Sequence, residues 1–262
     1  MGNGETAMTT KQSSFVWYEL MTTDVAAAKA FYGSVVGWSM QDMPMPGMTY
    51  TIVSMGEAQV GGIMPIPKDA AAAGMQPCWA SYIAVDDVDA GAATVQRLGG
   101  KILAPPTDIP TIGRFATVAD PQGAMFNLFK PNRAGERTYS MAPGQVGWHE
   151  LHARDFAKAF EFYAAMFGWT SGDAMDMGPM GTYQILKIGD VPVGAVFNSP
   201  AADKARFWLY YFNVADIDAA LARLTAGGGR LMMGPVQVPG GNWIVQASDP
   251  QGAPFALVGP KR

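Results

Sequence analysis

Cysteine is almost missing from this chain: its 262 residues include one, Cys78. That excludes an internal disulfide and a zinc site built from cysteines. Histidine is nearly as scarce, with only His149 and His152, so any imidazole chemistry is confined to one short stretch. Charged residues make up 15% of the chain, against roughly a quarter in ordinary globular domains. The net charge is −4, which argues against a nucleic-acid partner, since such proteins usually carry a basic face. Long apolar runs are absent too. Gly, Pro or charge interrupts each one before the roughly eighteen residues of a membrane span, so no membrane partner is expected. The segment 1–14 lacks the apolar core of a secretory signal, and residues 1–11 read as a flexible polar tail. With no export signal and no disulfide, the cytoplasm is the expected location. What remains is 49% apolar and 11% aromatic, far from the composition of a disordered chain. The length suits one or two domains with full cores.

The chain is a repeat. Residues 17–38 read WYELMTTDVAAAKAFYGSVVGW and residues 148–169 read WHELHARDFAKAFEFYAAMFGW. Trp17, Glu19, Asp24, Phe31, Tyr32, Gly37 and Trp38 return as Trp148, Glu150, Asp155, Phe162, Tyr163, Gly168 and Trp169. Later, TYTIVSMGEAQVGGIM at 49–64 parallels TYQILKIGDVPVGAVF at 182–197, and Asp-Pro-Gln-Gly-Ala recurs from Asp120 and from Asp249. Such self-similarity marks duplicated structural units. Two homologous domains follow, 12–137 and 138–262, with the polar, Gly-containing stretch Asn132–Gln145 joining them.

Within the first domain, residues 15–21 alternate as a strand, and Asp24 is a candidate N-cap for a helix over 25–36 that Gly37 ends. Residues 50–53 and 59–64 form strands about a turn at Gly56. A second half opens with a strand over 79–85 and a helix over 88–98 that Gly99-Gly100 closes. It ends in strands over 114–118 and 125–129 around the Asp-Pro-Gln-Gly turn. The second domain repeats this βαβββ-βαβββ order, an α+β class.

The opening strand ending in Asp, the Phe-Tyr helix closing in Gly-Trp, the Val-Asp-Asp-Val-Asp segment and the Asp-Pro-Gln-Gly-Ala-x-Phe-x-Leu hairpin together resemble the vicinal oxygen chelate superfamily. This is the glyoxalase, bleomycin-resistance and extradiol-dioxygenase group. The resemblance spans both repeats and is greatest to two-domain actinobacterial, including mycobacterial, members labelled hydroxylase- or glyoxalase-like. It implies tandem glyoxalase-like domains, each of two βαβββ modules wrapped into an open barrel with a concave cleft. In metal-bearing members the cleft holds a divalent ion on His, Gln and Glu. The matching positions here are Trp17 and Trp148, Ala80 and Leu209, and Asn127 and Ala256. The strand supplying the remaining ligand, 61–64 or 194–197, carries no acid or histidine. Indole and alkyl groups offer a metal no lone pair, so neither metal nor other cofactor is expected.

Alternation puts Trp17, Glu19 and Met21 on one strand face, and Trp148, Glu150 and His152 on its counterpart, with His149 turned away. An acid and an imidazole two residues apart on one face can tune each other for proton transfer. Glu150 and His152, with Glu19, are therefore the candidate catalytic groups. The competing reading makes the repeated glutamates framework residues, or partners of an arginine. Trp17, Trp148, Tyr50, Tyr183 and Asn127 are candidate ligand contacts. So are Met48 and Met180, from two Met-rich loops (Met43, Met45, Met48; Met175, Met177, Met180) that would act as lids, since methionine adapts to apolar ligands. Arg114 could receive an anion, though a surface role is the simpler reading. Cys78 has no histidine partner for nucleophilic chemistry.

Two functions fit. One is metal-independent binding of a small apolar or aromatic molecule, as in sequestration by bleomycin-resistance proteins. The other is a cofactor-free or glyoxalase/hydroxylase-like enzyme, a lyase or isomerase if not a hydroxylase, using the Glu/His pair on a small carbonyl or aromatic substrate. The fused domains imply a monomer with an internal pseudo-dimer, or a homodimer.

Overall fold

The computed structural model describes residues 13–45, 47–132, 140–199 and 206–262; the tail 1–11, half of the linker and the Met180 side chain lie outside the described residues. The first repeat runs β1 (Phe15–Thr22), α1 (Val25–Val35), β2 (Ser39–Met45), β3 (Met48–Met55) and β4 (Ala58–Pro65). A short α2 (Lys68–Ala72) leads to β5 (Cys78–Ala84), α3 (Val88–Arg97), β6 (Lys101–Ile109), β7 (Gly113–Ala119) and β8 (Met125–Pro131). The second repeat runs β9 (Val146–Ala153), α4 (Phe156–Phe167), β10 (Thr170–Asp176), β11 (Thr182–Ile188) and β12 (Val191–Asn198). It continues with β13 (Phe207–Asn213), α5 (Ile217–Ala226), β14 (Arg230–Gln237), β15 (Trp243–Ser248) and β16 (Pro254–Gly259).

Local chemistry explains the boundaries. The helices α1, α3, α4 and α5 each start behind an aspartate, Asp24, Asp87, Asp155 and Asp216, whose carboxylate accepts a first-turn backbone N–H. That satisfies donors with no intrahelical partner. Gly168 ends α4 in the left-handed region at φ 68°, where a side chain would be strained. The Met-rich segments are not loops. Met43 and Met45 lie on β2, Met48 opens β3 and Met175 lies on β10, with only Met177 and Met180 at a one-turn 3-10 helix. β2 is solvent-exposed along nearly its whole length, so it carries no apolar alternation to mark it as a strand.

Each repeat makes one eight-stranded sheet, ordered β2-β3-β4-β1-β5-β8-β7-β6 and β10-β11-β12-β9-β13-β16-β15-β14. The two βαβββ modules of a repeat join where β1 meets β5, and β9 meets β13, antiparallel. Strands β4 and β1, like β12 and β9, run parallel. Glycine is required at that seam. A Cβ on Gly61 or Gly194 would sit 2.1 Å from the carbonyl oxygen of Tyr18 or His149.

The helical faces of both repeats share a single core, to which Leu20, Tyr32, Trp79 and Phe126 contribute from the first and Leu151, Tyr163, Trp208 and Phe255 from the second. Its polar contacts are reciprocal. Tyr32 donates to Asp249 and its equivalent Tyr163 donates to Asp120, at 3.2 and 3.3 Å. The Trp79 and Trp208 indoles donate to those same tyrosines. Trp38 donates to the Gly144 carbonyl and Trp169 to that of Ser13. On the pseudo-twofold axis, equivalent residues meet each other. Tyr18 and His149, 131 residues apart, lie 2.6 Å apart through Oη and Nε2. Tyr210 Oη accepts from the backbone N–H of Ser81, its equivalent 129 residues earlier.

Candidate functional site

Residues on the axis alternate with residues on the opposite sheet face, where hydrogen bonds that span an intervening strand mark an inward curl in each repeat, cleft 1 in the first and cleft 2 in the second. In cleft 1, Tyr50 of β3 and Tyr82 of β5 each donate to one oxygen of the Glu19 carboxylate, both at 2.9 Å. The Trp17 indole donates to Tyr50 at 2.8 Å. In cleft 2, Tyr183 and Tyr211 each donate to one oxygen of Glu150 at 2.7 Å, and Trp148 donates to Tyr183 at 2.7 Å. Both glutamates are buried. Among the described residues no lysine or arginine pairs with either, so tyrosine hydroxyls, not an arginine, take the part of the expected partner. Burial raises the pKa of Glu19, an effect the two hydroxyl donors partly offset. Burial and the adjacent carboxylates push all four tyrosines well above their ordinary value. They therefore remain donors at any physiological pH.

The clefts differ along one wall. In cleft 1 Thr117 donates to Asn127 Oδ1 at 2.7 Å, and the two are register partners on β7 and β8. Asn127 is buried, and its amide also donates to the Ser81 carbonyl. In cleft 2 the same pair of positions holds Gln246 and Ala256. The longer Gln246 reaches Tyr211 Oη at 2.7 Å and Glu150 Oε2 at 3.1 Å. Strands β13 and β16 lie between β15 and β9 in the sheet, a span of about 14 Å if flat. Only a sheet curled around the site brings these side chains together. Met21, beside Glu19, is replaced in cleft 2 by His152. Its Nε2 lies 3.6 Å from Glu150 Oε2, beyond hydrogen-bond range. The imidazole stacks on Phe207 at 4.5 Å and meets the edge of Phe197 at 4.7 Å.

Trp17, Trp148, Tyr50, Tyr183 and Met48 are half-buried along these clefts or their rims. Exposed apolar side chains beside the clefts include Met43 and Met45 of β2, the register partners of Tyr50 and Met48, and Met233 and Val236 of β14, the register partners of Gln246 and Ile244. Sequence reasoning assigned none of Tyr82, Tyr211, Thr117 and Gln246 to a cleft. The signal for the tyrosines was available, because they recur at equivalent positions and alternate with the interface residues Ser81 and Tyr210. His149 does face away from the cleft. Its Nδ1 approaches the Val193 carbonyl at 2.6 Å, and burial lowers its pKa to about 4. Arg114 is held by Asp89 and Asp108. Burial pushes the Cys78 thiol up to about 12, which removes it as a nucleophile. A separate groove of about 700 Å³ runs over the domain seam, with Phe15, Met55, His149 and Val193 in its lining.

With this geometry in place, the comparisons are decisive about ancestry. The sequence pattern of the Glyoxalase/Bleomycin resistance protein/Dioxygenase superfamily matches residues 14–128 and again residues 145–257. The chain belongs to this superfamily. It is 37% identical over 252 residues to "Putative glyoxylase CFP32" of Mycobacterium tuberculosis, covering 95% of this chain and 96% of that protein. It is 31% identical over 254 residues to the anthracycline biosynthesis protein DnrV of Streptomyces peucetius, covering 92% and 91%. The Mn(II)-bound glyoxalase from Novosphingobium aromaticivorans superposes with a TM-score of 0.63 at 17% identity, over 96% of this chain and 83% of that one. That likeness is one of fold.

Membership raises the question of a metal, and the donors answer it. Among the described residues no three His, Cys, Asp or Glu side chains cluster as ligands. The positions that the resemblance aligns with the superfamily's ligands hold Trp17, Ala80 and Asn127 in the first repeat, and Trp148, Leu209 and Ala256 in the second. The Glu19 and Glu150 carboxylates each already accept tyrosine hydroxyls at both oxygens. A divalent ion needs three or four free N or O donors with compensating charge, and these clefts do not present them. Among the described residues no helix is long and apolar enough to cross a membrane.

Proposed function

We infer that the chain binds a small apolar or aromatic molecule in a cleft of this superfamily fold, without a metal, in the manner of a sequestering protein. The observation that carries this reading is the state of the cleft floor. Each glutamate there is satisfied by two tyrosine hydroxyls, while the walls and rims are aromatic and methionine-rich. Small-molecule sites have this composition, mostly apolar with a few fixed polar groups. The two fused domains supply within one chain the pair of clefts that a dimer would otherwise bring together, and the cytoplasm remains the location we propose.

The reading is tested on protein purified without chelator or affinity tag. The expected result is much less than one divalent ion per chain, together with quenching of Trp17 and Trp148 fluorescence by flat aromatic compounds. A stoichiometric ion would overturn it. A second reading, an acid–base enzyme acting on a small carbonyl or aromatic substrate, is favoured by one observation, the approach of His152 to Glu150. The names of the relatives, a glyoxylase and an anthracycline biosynthesis protein, point to the same substrate classes. Under that reading Glu150→Gln leaves the fold intact and lowers turnover.

A further inference from the structure

His152 distinguishes the two clefts. Its Nε2 is fully enclosed, has no hydrogen-bond partner and faces Glu150. The ring is nevertheless 12% exposed, and Nδ1 is not among the enclosed unpaired atoms. A carboxylate beside Nε2 favours the tautomer with its proton there, which leaves the Nδ1 lone pair as the basic position. This is the division of labour in carboxylate–imidazole dyads, where the acid orients the ring and the far nitrogen takes the proton. An imidazolium formed here would be held by Glu150 and by the face of Phe207, 4.5 Å away. The Glu150 carboxylate that the ring faces also accepts from Tyr183 and Tyr211.

We propose that cleft 2 selects aromatic ligands bearing a weakly acidic hydroxyl, a phenol or enol, and that His152 accepts that proton on binding. This rests on the small-molecule reading above and adds to it the ligand's chemical class and the cleft that recognises it. In the step, the ligand O–H bond breaks and its electron pair stays on the ligand oxygen. The proton adds to Nδ1, and the Nε2–H then closes its gap to Glu150; nothing else is consumed. A carboxylic acid fits less well, because it arrives already ionised beside a buried glutamate. A molecule that enters neutral leaves its proton on the imidazole, and the imidazolium so formed offsets the new anion beside Glu150. Cleft 1 has Met21 where this base stands, so one such ligand ionises per chain.

The probe is 4-nitrophenol, whose acidity lies near neutral and whose phenolate has its own visible band, with 4-nitroanisole as the control lacking the hydroxyl. In mildly acidic buffer, where free 4-nitrophenol is mostly neutral, the full-length protein is expected to raise the phenolate band to one equivalent per chain. It should bind the phenol about tenfold or more tightly than the ether. His152→Phe should abolish the band and level the two affinities while quenching of indole fluorescence persists. His152→Gln serves if the first variant melts early. Binding of both compounds with equal affinity and no phenolate band, or a band unchanged in the variants, would overturn the proposal and leave the aromatic-binding reading standing. Binding of neither compound would overturn both.

Discussion

His149 and Tyr18 show how one hydrogen bond ties pH to folding. The Val193 carbonyl can only accept, so Nδ1 of His149 carries its proton and Nε2 accepts from Tyr18. The ring is buried and neutral, with its pKa lowered to about 4 by burial. An unfolded histidine titrates near 6.5. Between these values the unfolded chain binds the extra proton, so this residue's contribution is present above about pH 6.5 and is lost as pH falls toward 4. One proton across that gap is worth roughly 3 kcal/mol. Glu19, Asp120 and Asp249 have pKa values raised by burial. They act in the opposite sense, favouring the folded state at low pH. The net acid profile is therefore a difference, and a variant isolates the histidine. His149→Gln should be less stable than the parent near neutrality, with the gap narrowing as pH drops to about 5, by at most about 1.4 kcal/mol per unit. Urea denaturation at the two pH values measures this. A gap that stays constant would mean that His149 titrates alike in both states.

The parallel seam between β4 and β1, repeated by β12 and β9, sets each axis residue against the strand beside it. Gly61→Ala or Gly194→Ala would place a methyl 2.1 Å from a backbone carbonyl oxygen. Backbone cannot yield as a flexible side chain does, so each substitution should cost about 1–3 kcal/mol or more, read as a lowered midpoint in chemical denaturation. Gly240→Ala, with open space around its Cβ position, provides a backbone-strain control. At this scale the sequence was readable wherever burial imposed a period. The strands β1, β5 and β8 and the aspartate-capped helices carry apolar residues at the spacing of their faces, and their limits agree with expectation to within a residue or two. Strands β2, β6 and β14 are edges with mostly exposed side chains. No core dictates their pattern, so β2 read as a loop. The candidate site was half legible for a related reason. Repetition exposes Trp17, Glu19 and Tyr50 with their counterparts, but Gln246 differs from Thr117. Its reach across two intervening strands depends on the curl of the sheet, which no local pattern encodes.

The reciprocal contacts make the two repeats behave as one body. A core shared by Tyr32, Trp79 and Phe126 with Tyr163, Trp208 and Phe255 leaves neither half able to lose its packing alone. The paired Tyr–Asp bonds link α1 to the Asp249 turn and α4 to the Asp120 turn. Cooperative units are defined by such shared burial rather than by sequence repeats. The single cysteine provides a local reporter of this coupling. Cys78 lies on β5 in the first repeat, and its thiol, held largely protonated by burial, reacts slowly until the structure opens. Leu257 is fully buried on β16 in the second repeat. Leu257→Ala should cost about 2–5 kcal/mol. If unfolding is joint, alkylation of Cys78 under slow-labelling conditions should accelerate by the same factor as the global unfolding constant rises, about tenfold for each 1.4 kcal/mol. Unchanged Cys78 protection in a destabilised Leu257→Ala protein would mean that the first repeat stands by itself. In that case the hydrogen bond between Tyr18 and His149 would be a contact between two independent domains rather than part of a single fold.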